Sequence, residues 1–123
     1  MSKLRTQRFR FPFMVADTEA GPDIRWRKFG LTLRFTTPQG ERCCVEFSDV
    51  EHFELLSDTE LDPKLFPDDG VVEVVDSPLV QRLVSSGSLT GAETPDLKHL
   101  VIGFNEIGSY LVILFRAMEV RSV

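Results

Sequence analysis

The chain is poor in the residues from which catalytic and metal sites are most often built. It holds two cysteines, two histidines, one tryptophan and one tyrosine in 123 residues. The cysteines are neighbours, Cys43 and Cys44; on a strand they point to opposite faces, and with no third cysteine there is no disulfide framework. A reducing compartment is therefore expected. His52 and His99 lie far apart and no Cys-x-x-Cys accompanies them, which leaves no zinc pattern. Long apolar runs are also missing: none approaches the roughly 20 residues of a membrane span. The stretch Phe11 to Ala16, between the basic N-terminus and Asp17, is too short for the apolar core of a signal peptide. These absences predict a cytoplasmic protein without membrane association.

Local signatures of chemistry are absent in the same way. Asp58-Thr59-Glu60-Leu61-Asp62 spaces three acids as the start of a calcium loop does, but Pro63 stands where that loop needs Gly, and Asp69 where it needs Glu. In Gly87-Ser88-Leu89-Thr90-Gly91, Leu89 occupies the position a nucleophile elbow gives to Ser. Gly103 to Gly108 joins two strands and lacks the Lys-Ser/Thr of a phosphate loop. Asp68-Asp69-Gly70 is ordinary turn chemistry, and a strand cysteine such as Cys44 beside one arginine, Arg34, is expected to be inert. No catalytic residue, cofactor site or metal site is assigned, and the reading is non-enzymatic.

What is present is the composition of one globular domain, residues 1–123, with 42% hydrophobic and 27% charged residues. A chain of this length buries about two thirds of its unfolded surface. Ten phenylalanines against one tyrosine and one tryptophan place the aromatic mass in the core. The net charge of -5 conceals a division along the chain. Residues 1–45 hold nine Lys or Arg against four acids, +5, whereas residues 46–76 hold eleven acids against Lys64 alone, -10. So acidic a chain is a poor nucleic-acid binder. Loosely paired acids on solvated faces are the ordinary outcome. The functional reading is a patch that receives a basic protein, with Asp49, Glu51, Glu54, Asp58, Glu60, Asp62, Asp68 and Asp69 as candidate partner-binding residues.

Hydrophobic patterning predicts a mainly β protein: an antiparallel two-layer sandwich or strongly curved sheet with one short helix over 78–86. Phe9, Phe11 and Phe13 alternate with polar residues from Leu4 to Val15, an edge strand because Pro12 cannot donate to a ladder. Ala16 to Asp23, containing Gly21-Pro22, reads as a loop. Phe29 to Phe47 reads as a hairpin around Thr37-Pro38-Gln39-Gly40, with paired residue numbers summing to 78, so that Phe35 faces Cys43, Leu33 faces Val45 and Leu31 faces Phe47. In that register Cys43 is buried and Cys44 more exposed. A short strand follows at Glu51–Leu56, then a long acidic loop from Ser57 to Asp69, then a strand at Val71–Val75. Ser77-Pro78 starts the helix and Gly87 ends it, with Leu79, Val80, Leu83 and Val84 as its apolar stripe. Ser88 to Asp96 is a second loop. Lys98 to Phe104 and Tyr110 to Val120 are the last strands, and the unbroken apolar run from Tyr110 to Phe115 marks a central strand buried on both faces.

Four segments taken together, Val45-Glu46-Phe47-Ser48-Asp49-Val50 with Phe53, Val72 to Leu79, Lys98-His99-Leu100 and Tyr110 to Ile113, resemble a group of small uncharacterised bacterial proteins. Some of that group are similar to immunity proteins of polymorphic toxin systems. The resemblance spans about residues 29–118, with Leu100 and Leu111 departing from its pattern. It implies an immunity-like or adaptor protein that occludes a partner and carries over no catalytic residue. Two other classes stay open: a small-ligand-binding or enzymatic β domain with a pocket between its sheet layers beside His99 or Tyr110, and a structural homo-oligomer. A monomer or a homodimer is expected.

Overall fold

A computed structural model describes residues 4–90 and 94–121. It contains nine strands, one α-helix and two antiparallel sheets among the described residues. In chain order the strands are β1 (Arg5–Arg8), β2 (Ala20–Arg27), β3 (Gly30–Thr36), β4 (Arg42–Ser48), β5 (His52–Ser57), β6 (Val71–Val75), β7 (Lys98–Phe104), β8 (Ser109–Phe115) and β9 (Ala117–Arg121); helix α1 (Pro78–Ser85) lies between β6 and β7. The first sheet has the order β1-β6-β7-β8-β5 and the second β2-β3-β4-β9. They face each other as a two-layer sandwich.

The β3–β4 hairpin has the register its alternation requires, with Leu31, Leu33 and Phe35 opposite Phe47, Val45 and Cys43. Gly40 takes φ +84° at the turn, and its N–H donates to the Thr37 carbonyl. All six inward residues are buried in the core between the sheets, against Leu100, Ile102 and Phe104 of β7 and Leu111, Ile113 and Phe115 of β8. Edge-to-face rings tie the layers at both ends, Phe35 to Phe104 at 5.5 Å and Phe47 to Phe115 at 4.8 Å. At about 1.5–3 kcal/mol per large side chain removed from water, this layer is the main source of stability.

Four expectations are corrected. The N-terminal strand stops at Arg8: Phe9 N–H still reaches the Val71 carbonyl, but Phe11 N–H turns back to the Phe9 carbonyl. Phe9, Phe11 and Phe13 nonetheless pack on the core, as a strap without a ladder. Gly21-Pro22 lies inside β2, where the register shifts between Ala20 and Asp23; a bulge on an edge strand tolerates the missing N–H. The run from Tyr110 to Val120 is two strands in different sheets. Arg116 N–H donates to the Ser48 carbonyl, and the chain there steps from β8 beside β5 to β9 beside β4. Finally, Cys44 is as buried as Cys43. In its row across the second sheet it stands between Arg34 and Arg121, whose long stems can lie over so small a side chain.

Candidate functional site

Strand β8 is buried from Tyr110 to Phe115, so the face of its sheet turned away from the sandwich needs a cover. Val72, Val74, Val101, Tyr110 and Val112 form a second buried cluster there. The helix supplies Leu79 alone; Leu61, Leu65 and Phe66, all from the acidic segment between β5 and β6, supply most of the rest. Three devices hold this segment down. Tyr110 Oη donates a 2.6 Å hydrogen bond to the Phe66 carbonyl, and Thr6 Oγ1 donates to the Leu65 carbonyl at 3.1 Å. Gly103 lets the backbone approach: a Cβ there would stand 2.5 Å from the Pro67 carbonyl oxygen. The segment opens on a 3-10 turn, Asp58–Glu60, closed by a capping box in which Ser57 N–H donates to Glu60 at 2.6 Å.

Folding sorts the eight acids into separate places. Asp58, Asp68 and Asp69 gather around the Tyr110 end of β8, where burial first and then these three carboxylates push the phenol pKa up. None of the three is in an ion pair among the described residues. Glu60 is engaged in the capping box, and Asp62 accepts the Lys64 N–H at 2.9 Å. Glu54 lies beside His52, with Oε1 3.5 Å from Nε2. Glu51 and Asp49 sit at the opposite end of the sandwich, where Glu51 pairs with Arg116 at 2.8 Å and Val50 N–H meets the Phe29 carbonyl. One continuous surface over 49–69 is therefore replaced by an acidic end centred on Tyr110. Glu106 in the β7–β8 connection joins that end, as does Asp17, which exchanges two hydrogen bonds with Asn105 at 2.7 and 2.8 Å. Neither is conspicuous in sequence, because both fall outside the -10 segment.

Between the acidic segment, α1 and the sheet's outer face lies a pocket of about 360 Å³. Its apolar walls are Val74, Val101, Val112, Leu61, Phe66 and Leu79, and its polar groups are Glu54, Arg82 and His99. The space between the two sheets is instead filled by the core. His99 Nδ1 is 2.7 Å from Ser77 Oγ, which caps α1 by accepting the Val80 N–H at 3.2 Å. After accepting from Val80 the Ser77 hydroxyl keeps a second lone pair and its proton, so it can serve His99 Nδ1 as donor or acceptor. In the tautomer where it donates, Nε2 carries the imidazole hydrogen. Burial, with a smaller contribution from neighbouring His52, pushes the His99 pKa down to about 4. The ring is thus neutral at physiological pH. Ser77 is itself buried and serves the helix cap, so the pair is a positioned donor rather than an activated nucleophile.

A larger groove of about 690 Å³ runs along the Phe9 to Val15 strap, with Arg8 and Asp69 among its lining residues. Burial and Glu41 push the Cys43 thiol up to about 11, leaving it protonated at neutral pH. Among the described residues no group of three or more His, Cys, Asp or Glu is arranged to hold a metal ion, and no helix is long and apolar enough to cross a membrane. Compared with known proteins, the chain matches no family model, no curated protein and no solved structure.

Proposed function

We propose that this is a non-enzymatic binding protein that occludes a basic protein partner with the acidic end of its sandwich. The observation that carries the reading is the convergence of Asp58, Asp68 and Asp69 around Tyr110 without a compensating ion pair among the described residues. Like charges held together by the fold repel one another, and a partner with complementary charge relieves that repulsion while gaining association rate and selectivity. The acids stand on a segment fixed by Tyr110, Thr6 and Gly103, so little ordering is left for the moment of binding. In its immunity-like form, the reading places the protein in a bacterial cytoplasm with a toxin domain as partner. The gene next to this one is the place to look for that partner.

The test is association kinetics with such a partner at rising ionic strength. The rate should fall by roughly tenfold or more between low salt and about 0.5 M salt, since exposed charges are screened over a few ångströms there. Neutralising Asp58→Asn, Asp68→Asn and Asp69→Asn together should remove most of that salt dependence, whereas Asp49→Asn, at the other end, should not. A rate indifferent to salt would count against the acidic end as the binding surface.

A further inference from the structure

The pocket on the outer face of the five-stranded sheet has a chemical character that the protein-binding reading does not use. Its walls are apolar on the sheet side, from Val74, Val101 and Val112, and on the cover side, from Leu61, Phe66 and Leu79. Its volume of about 360 Å³ lies at the small end of ligand sites, about 300–1,000 Å³. Two hydrogen-bond donors enter from the side of α1. One is His99 Nε2–H, available in the tautomer in which Nδ1 accepts from Ser77 Oγ at 2.7 Å. The other is the Arg82 guanidinium, from the last turn of the helix, which makes no ion pair or side-chain hydrogen bond among the described residues. The acceptor, Glu54, stands two strands away on β5, about 10 Å by strand spacing, and already has His52 Nε2 at 3.5 Å.

We infer that this pocket binds a small apolar carboxylate, a medium-chain or single-ring acid, with its tail against Val101 and Val112 and its carboxylate on Arg82 and His99. Guanidinium and carboxylate match in geometry as well as charge. A bound carboxylate selects the tautomer with hydrogen on Nε2, since Ser77 Oγ can donate to Nδ1, and this adds a directed donor without a second charge. Glu54 sets the direction of entry, since it repels the carboxylate from the β5 side. An amine would meet the reverse arrangement, with its charge forced toward Arg82 or out into water. A neutral ester of the same chain keeps the apolar contacts and loses the charge-assisted bond.

The experiment uses the full chain with three probes of equal chain length: octanoate, its methyl ester and octylamine. Binding is followed by calorimetry and by NMR of the Val, Leu and His99 side-chain signals. Octanoate should shift Val101, Val112, Leu79 and His99 and bind about ten- to a hundredfold more tightly than either other probe, the range expected for one charge-assisted hydrogen bond. Arg82→Gln, at an exposed helix position that does not threaten folding, should remove most of that preference. His99→Gln should weaken octanoate binding while leaving the ester unchanged. The inference is overturned if octanoate produces no shifts at millimolar concentration, if the amine binds as well as the acid, if the shifts map to the Phe9–Phe13 groove, or if Arg82→Gln binds octanoate as the wild type does. Because no protein partner enters this experiment, its outcome is independent of the acidic-end reading.

Discussion

The phenolic oxygen of Tyr110 donates a 2.6 Å hydrogen bond to the backbone carbonyl of Phe66, 44 residues earlier in the chain. It joins an interior strand to the acidic segment that covers it, and so fixes both the carboxylates of the acidic end and one wall of the pocket. Phe66 and Tyr110 are both buried, so neither group of this bond can turn to water if its partner is removed.

Tyr110→Phe keeps the ring and deletes the donor. The orphaned Phe66 carbonyl should cost about 1–3 kcal/mol of stability, measured by urea unfolding. Hydrogen exchange should show where the cost falls: amides of residues 62–69 should exchange faster relative to those of β7 and β8. Unchanged stability, within about 0.5 kcal/mol, together with unchanged exchange would mean that the segment is held by Leu61, Leu65 and Phe66 packing alone.

Gly103→Ala tests the same joint from the sheet side. The added methyl would meet the Pro67 carbonyl oxygen and the Asp68 backbone at 2.5 Å. These are backbone atoms, which cannot swing aside as a side-chain tip could. Overpacking of this kind costs about 1–3 kcal/mol. In a crystal structure of the variant, residues 67–69 should be displaced from the sheet. An alanine variant as stable as the parent, with the segment in place, would show that the close approach is incidental.

The periodicity of the chain made the β3–β4 register readable because a slip of one residue would turn Leu31, Leu33, Phe35 and their partners into water. The helix start was readable for a similar reason: Ser77-Pro78 combines a side-chain cap with a residue pre-set for the first turn. Strand β2 was not, since only Ile24 and Trp26 face inward, and Trp26 is still 47% exposed where it stacks on Phe53 at 5.0 Å. The break at Arg116 was hidden as well. Leu114, Phe115, Ala117 and Met118 read as one apolar run whether the chain stays in its sheet or changes sheets. For the site, the eight acids were visible as charge, but their separation into two ends follows from strand direction. The pocket was not legible: the expected place was between the sheet layers beside His99 or Tyr110, which the core fills. The pocket lies instead on the outer face and shares only His99 with that expectation. Arg82 carried no signal, because an arginine on a helix surface is ordinary.

His99 makes the fold sensitive to acid. Its pKa is lowered to about 4 from 6.5, through burial first and the nearby His52 second. Between those two values the unfolded chain binds the proton that the folded chain refuses, so stability must rise with pH across this window. The contribution is fully present above about pH 6.5 and is lost as pH falls toward about 4. From pH 7.5 to pH 4.5 the loss should amount to about 2–3 kcal/mol. Protonation would also put hydrogens on both ring nitrogens, so that Nδ1 can only donate to Ser77 Oγ, which already accepts from the Val80 N–H. The start of α1 should therefore loosen early in the acid titration. Urea unfolding at the two pH values checks the argument: the stability difference should shrink by most of this amount in His99→Gln and change much less in His52→Gln, which removes only the smaller contribution. If wild type and His99→Gln lose the same stability between the two pH values, the acid sensitivity belongs to other groups, and the imidazole is not held neutral by its surroundings.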